Sequence, residues 1–267
     1  MTLPALLKHT GSKRKLAPLI ATHIPPKLDT YTEPFCGSAS VAFYLMSEKR
    51  DIRTYVLSDK NPYVVSVLHS IGTSTHVIDT YRKLHKDFNA YGDSVEHRKK
   101  VYNETRSEFN RTRDPGFYFF LTRTCANGLI RFNSKGGFNS PCHFSRPGIG
   151  PDKVEEIISF YKSLLGNNDV NFSVKSYSEY DASQGFFFLD PPYPKSGSLY
   201  QGGFNTTDFE NWVKRVNSYC LTYKSTSSFS DGPAEKYVLN SGNSSFSRLF
   251  TGEKNRSVEE ILWVKTC

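Results

Sequence analysis

Short apolar runs alternate with stretches of helical periodicity between residues 28 and 72, an alternation that predicts strands and helices in turn. The first run leads into the turn at residues 33–40, whose sequence EPFCGSAS is rich in Pro, Gly and small side chains. Residues 41–46 (VAFYLM) continue as a helix, a second strand over residues 54–57 ends at Ser58-Asp59, and Asn61-Pro62 opens a further helix. Together these form a β-α-β unit, the building block of a parallel sheet covered by helices.

From about residue 74 to residue 165 the periodicity is helical and polar, and basic residues gather at 97–100, Arg106, Arg111, Arg113, Arg123 and Arg131. Residues 130–138 (IRFNSKGGF) break that pattern, because a Ser-Lys-Gly-Gly turn between two short β-prone runs predicts a β-hairpin. Strand character returns over residues 170–174, 185–189, 221–224 and 261–265. The expected class is α/β: one domain made of residues 1–72 and 166–267, interrupted by a helical insertion, residues 73–165, with a hairpin near 130–140.

Composition narrows this picture only a little. With 267 residues, 37% hydrophobic and 22% charged, the chain suits one full-sized globular domain with an insertion better than two domains. No apolar stretch reaches the roughly 18 residues of a membrane span, and the N-terminus lacks the order of a signal peptide, so the cytoplasm is the expected compartment. The five cysteines are scattered with no C-x-x-C pair, which predicts neither a zinc site nor a disulfide framework, and no metal is expected. A net charge of +8 suits a polyanionic partner.

Candidate chemistry enters at residues 186–193. FFFL (186–189) is wholly apolar, as a central strand buried on both faces requires, and it delivers Asp190-Pro191-Pro192-Tyr193 to its carboxyl end. In open α/β sheets ligands bind at that end. A turn that merely ends the strand is the plainer alternative. The residue types nevertheless fit a specific task. A ring-attached amine such as adenine N6 is a poor nucleophile, because its lone pair is delocalised. An Asp190 carboxylate accepting one N–H and a Pro191 carbonyl accepting the other return electron density to the nitrogen, and two prolines fix the carbonyl's direction. Tyr193 offers a ring face on which a base turned out of a duplex can stack. Cytosine N4, or an amine of RNA or protein, would be served equally well.

Residues 33–40 and Asp59 read as the second half of a site. Gly37 lets the backbone approach a ligand closely, and the helix that follows Ser38-Ala39-Ser40 presents free N–H groups. Asp59 ends the next strand, where an acid in nucleotide-binding sheets holds ribose hydroxyls. Capping of the helix near Pro62 is its alternative use. The turn lacks G-x-G-x-x-G, which argues against a dinucleotide-dependent oxidoreductase.

With these motifs in place, the chain resembles the Dam-type adenine-N6 DNA methyltransferases of bacteria and T-even phages, in the order cofactor motif, recognition region, catalytic motif, from about residue 8 to residue 264. The resemblance implies a Rossmann-like S-adenosylmethionine-dependent methyltransferase sheet with an inserted helical DNA-recognition region. It also implies S-adenosylmethionine as cofactor and double-stranded DNA as partner. Lys8-His9-Thr10-Gly11-Ser12-Lys13 is similar to the family's N-terminal segment, in which the positions of His9 and Lys13 face the cofactor; His stands where Trp or Tyr is usual. Phe35-Cys36-Gly37-Ser38-Ala39 replaces the usual Phe-x-Gly-Gly while keeping small residues. In this reading Phe35, Cys36, Gly37, Ser38, Ala39, Ser40, Asp59 and Asp190 surround the cofactor.

Residues 123–133 and 136–141 resemble the family's DNA-reading hairpin and the helix end before it, which implies that Arg123, Asn127, Leu129, Arg131 and Asn133 approach the recognition site. Arginine pairs with guanine and asparagine with adenine in the major groove, while leucine can contact a thymine methyl or wedge into the stack. Tyr200, Phe204, the helix from Thr207, residues 225–231, and Arg256 with Glu259-Glu260-Ile261-Leu262 resemble later family segments. A GATC-type target is the natural extrapolation. Phosphate contacts are expected from Lys13, Arg14, Lys15 and the basic insertion, with binding that weakens steeply in salt. No obligate protein partner is implied, and a monomer or weak dimer is expected. A catalytically silent DNA-binding protein of the same fold is the competing class, and it has no physical use for Asp190, Pro191, Pro192 and Tyr193 together.

Overall fold

The computed structural model describes residues 2–8, 11–192, 204–224, 229–242 and 258–266. Among these, seven strands form one sheet: β1 (Lys27–Glu33), β2 (Asp51–Asp59), β3 (Asp169–Val174), β4 (Phe186–Leu189), β5 (Ser218–Lys224), β6 (Glu235–Gly242) and β7 (Val258–Lys265). Their order is β3-β2-β1-β4-β5-β7-β6. Strands β3 to β5 of that order run parallel, and β7 is antiparallel to both β5 and β6. This is a Rossmann-like sheet of the kind that the β-α-β pattern predicts.

The chain leaves β1 in one direction through β2 and β3 and returns on its other side through β4 and β5. The carboxyl ends of β1 and β4 therefore flank the point where the strand order reverses, which is where open sheets of this kind form a ligand crevice. Strand β4 is buried at all four positions because its side chains alternate between two cores. Phe186 and Phe188 join one, while Phe187 and Leu189 join the other with Phe209, Trp212, Tyr219 and Leu221.

Helix α1 (Ala17–Ala21) precedes β1, α2 (Ser40–Ser47) follows it, and α3 (Pro62–Thr73) follows β2. The region after α3 is helical as expected: α4 (His76–Phe88), α5 (Val95–Thr112), α6 (Pro115–Thr124) and α7 (Pro151–Gly166), with α8 (Thr206–Val213) ahead of β5. Side chains locate several starts. Asn61 Oδ1 accepts from Tyr63 N to cap α3, and Asp114 Oδ1 accepts from Gly116 N and Phe117 N to cap α6. Val77, Tyr81, Phe88, Phe109, Phe119 and Phe120 of α4 to α6 lie in the same continuous core as Phe43 of α2 and Val64 of α3. The inserted helices are thus packed into the main body.

The expected hairpin is present in a reduced form. A single bridge joins Phe132 to Phe138, Asn133 N donates to Gly137 O at 2.8 Å, and Asn139 N donates to Arg131 O at 3.0 Å. A second isolated antiparallel backbone pairing joins Cys125 to Cys142 at its base, and both thiols are free. No longer ladder forms, because Asn133 Oδ1 accepts from Lys135 N and Gly137 N and turns the chain at once.

Candidate active site

Asp190 leaves the end of β4, and its carboxylate is enclosed, with 19% of the side chain exposed. Three elements converge on it. Lys13 Nζ, from the short turn after the N-terminal segment, lies 2.7 Å from Oδ1 and 2.9 Å from Oδ2. Thr222 Oγ1, on the neighbouring strand β5, donates to Oδ1 at 2.7 Å. Lys13 Nζ also lies 3.0 Å from Glu260 Oε1 on β7. Burial pushes the Asp190 carboxyl above the usual aspartate range; the ammonium of Lys13 and the bonds from Lys13 and Thr222 oppose that, and Glu260 adds to it. Pro191 is buried and Pro192 half-buried, while Tyr193 lies outside the described residues.

On the other lip of the crevice, the turn after β1 is shaped by two residues of positive φ, Gly37 at 47° and Ala39 at 49°. Glycine tolerates that conformation freely, whereas Ala39 carries some strain, held by Ala39 N donating to Cys36 O at 2.6 Å. Asp59 ties this turn to β2, because its Oδ2 accepts from Gly37 N at 2.9 Å and its Oδ1 from Asn61 N at 2.8 Å. The cap of α3 is Asn61, so Asp59 is not spent on capping. Ser12, Ser38 and Ser40 share hydroxyl bonds of 2.8 to 3.2 Å at the start of α2. Cys36 is buried, and Phe35 stacks on Tyr177 at 5.6 Å. His9 lies outside the described residues.

Glu33 closes the floor between the two lips. Only 2% of it is exposed, and its Oε1 accepts from Tyr31 Oη at 2.6 Å and Ala42 N at 2.8 Å. Burial raises its carboxyl from 4.5 to about 8, against the pull of those two donors and with a further push from Asp190.

Two expected DNA contacts are corrected by the structure. Arg123 is 3% exposed and donates Nη2 to the carbonyls of Ala5 and Leu6 at 2.8 and 2.7 Å, over the ring of Phe119. It clasps the N-terminal segment and cannot reach a duplex, because its charge is turned inward. Lys13 is 5% exposed and committed to the carboxylates, so it serves the crevice and no phosphate. Arg14 is half-buried and donates to Leu3 O at 2.7 Å, whereas Lys15 is exposed. Arg131 is exposed on the hairpin and Leu129 half-buried at its entry. Asn133 is exposed, with its carbonyl used by the turn. The Asn127 side chain, Tyr200 and Arg256 lie outside the described residues.

Comparison with known proteins decides the family. The description "D12 class N6 adenine-specific DNA methyltransferase" belongs to a family whose profile matches residues 9–261. The chain belongs to this family. It is 28% identical over 211 residues to the type II methyltransferase M.MjaIII of Methanocaldococcus jannaschii, covering 72% of this chain and 70% of that protein. A type II methyltransferase of a Paramecium bursaria Chlorella virus, M.CviBI, is 27% identical over 227 residues, 81% of this chain and 80% of its own. The DNA adenine methylase of Escherichia coli is 28% identical over 215 residues, 77% and 70% of the two chains.

Several residues of this D12 methyltransferase that line the crevice were not legible as such. Thr222 sits in an ordinary strand, and Glu260 appeared only as part of a terminal strand pattern. A shallow, open hollow is lined by Lys60 after β2, by Ser176, Tyr177 and Ser178 after β3, and by Phe204, Asn205 and Asp208 at the start of α8. Tyr177 carried no signal beyond its aromaticity. Among the described residues no helix is long and apolar enough to cross a membrane.

Proposed function

We propose that this methyltransferase moves the methyl group of S-adenosylmethionine to N6 of adenine in double-stranded DNA, on a base turned out of the duplex, with GATC as the first target to test. One observation supports this above the rest: the acidic corner at Asp190 and the Gly37 turn clamped by Asp59 face each other across the reversal point of the sheet.

The residues present fit the cofactor. The positive-φ turn sets the start of α2 at this end of the sheet, Asp59 ends β2, where sheets of this kind hold ribose hydroxyls, and the open hollow at Lys60 and Tyr177 would receive an adenine ring. In this reading Phe35, Cys36, Gly37, Ser38, Ala39 and Ser40 would lie along the cofactor. When bound, S-adenosylmethionine would supply an electrophilic methyl carbon on a positively charged sulfur and leave as the neutral thioether S-adenosylhomocysteine, while one N6 proton would be lost by way of the Asp190 carboxylate to water.

The chain's own part is to hold the amino group. Asp190 and the Pro191 carbonyl accept the two N6 hydrogens, keep the nitrogen lone pair out of the ring and fix its direction, so that orientation and electrostatics carry most of the rate. Thr222 fixes the carboxylate from behind. Tyr193 stacks on the extruded base in this reading. Residues 73–165 form the recognition region, in which Arg131, Leu129 and Asn133 meet the duplex and Lys15 contacts phosphate.

The experiment is calorimetric titration with S-adenosylmethionine, followed by labelled methyl transfer to duplexes with and without GATC. Saturable binding and incorporation into adenine support the proposal. Equal incorporation into DNA lacking GATC removes the sequence assignment, and no binding of the donor removes the reaction.

A further inference from the structure

The ammonium of Lys13 has more acceptors than protons. Among the described residues at least four oxygens stand within hydrogen-bond distance: Asp190 Oδ1 at 2.7 Å, Asp190 Oδ2 at 2.9 Å, Glu260 Oε1 at 3.0 Å and the Gly11 carbonyl at 3.1 Å. An ammonium has three N–H donors, so it is shared between the two carboxylates. Methyl transfer as proposed above creates a conflict at this point. Lys13 and Thr222 already engage about three of the roughly four lone-pair sites of the Asp190 carboxylate, so an incoming N6 amino group has to share that carboxylate with Lys13.

Lys13 cannot simply leave. At 5% exposure it has almost no water to fall back on, and stripping a buried charge of its counter-ion costs several kcal/mol. A second carboxylate within reach removes that cost. Glu260 stands there because β7 lies beside β5, which itself lies beside β4, so that Asp190, Thr222 and Glu260 come from three consecutive strands of the sheet.

We infer that Glu260 is a positioning residue for methyl transfer: it holds the Lys13 ammonium while the target amino group takes its place at the Asp190 carboxylate. Glu260 touches no substrate in this scheme and acts through Lys13. Thr222, bonded to Oδ1, keeps the carboxylate in position during the exchange.

The inference rests on the proposed reaction, and a double-mutant cycle separates the two. Single-turnover methylation is measured for the full chain, Glu260→Gln, Glu260→Asp, Lys13→Met and the Lys13→Met, Glu260→Gln pair. Glu260→Gln is expected to lower the turnover rate by about tenfold with the KM for donor and DNA held within about twofold, and Glu260→Asp to recover most of the loss. In the Lys13→Met background the Glu260→Gln change is expected to have almost no effect, because the residue through which Glu260 acts is gone. Equal losses in both backgrounds overturn the inference, as does an unchanged rate in Glu260→Gln. Should Glu260→Gln fail to fold, as judged by its melting curve, Glu260→Asp takes its place in the cycle with the same two criteria. A wild-type chain that transfers no methyl group contradicts the underlying reaction instead.

Discussion

Asp59 accepts the Gly37 amide at 2.9 Å, and this one bond joins the end of β2 to the turn that follows β1. The same carboxylate takes the Asn61 amide, so the acid shapes the crevice as well as facing it. Replacing it with alanine leaves two backbone donors without their partner. Asp59→Ala is expected to weaken S-adenosylmethionine binding by roughly 10- to 100-fold, which corresponds to about 1.4 to 3 kcal/mol. Isothermal calorimetry on the folded variant checks this, and an unchanged dissociation constant contradicts the role given to Asp59.

Glu33 makes stability depend on pH in an unusual direction. Its carboxyl rises from 4.5 to about 8 on folding, so the folded chain holds the proton that the unfolded chain releases between these values. Stability from this group is therefore full below pH 4.5, falls as pH rises through the window, and levels off above about 8. Glu33→Gln keeps an acceptor for Tyr31 and Ala42 but cannot ionise. Urea midpoints across the window should fall less steeply for that variant than for the native chain. Parallel slopes would show that Glu33 is ionised throughout.

Arg123 and Arg131 are expected to separate stability from recognition. Truncating Arg123 strands the buried carbonyl of Leu6 and the part-buried carbonyl of Ala5, so Arg123→Ala should cost roughly 2 to 4 kcal/mol in urea denaturation while leaving the salt dependence of DNA binding unchanged. Arg131→Ala should leave stability alone and weaken binding to the preferred sequence by roughly 1 to 3 kcal/mol, with relaxed specificity. Fluorescence anisotropy over a salt series distinguishes them. A reduced salt slope in Arg123→Ala contradicts its assignment as an internal clasp.

The strands and turns that frame this site could be read from the sequence, and the reasons are local. FFFL followed by Asp-Pro-Pro announces a strand buried on both faces and its end, because composition and punctuation coincide. The β-α-β unit around Gly37 is legible for the same reason. Strand β6 was not, since it lies at the sheet edge, where one flank needs no partner and a sequence such as EKYVLNSG keeps many polar residues. Lys13 and Asp190 stand 177 positions apart, and no periodicity connects them. Arg123 misled because sequence reports a charge without saying which way it faces: its place beside a DNA-like hairpin suggested a duplex contact, while packing under the N-terminal segment gave it another use.

The most direct test of the central claim is digestion to nucleosides and mass spectrometry of duplex DNA incubated with S-adenosylmethionine and either the native chain or Asp190→Ala. N6-methyladenine is expected with the native chain, and Asp190→Ala, still folded and still binding DNA, should form it at least about a thousandfold more slowly. Methylation at a comparable rate by Asp190→Ala, or a methyl group found on a different base, contradicts the account.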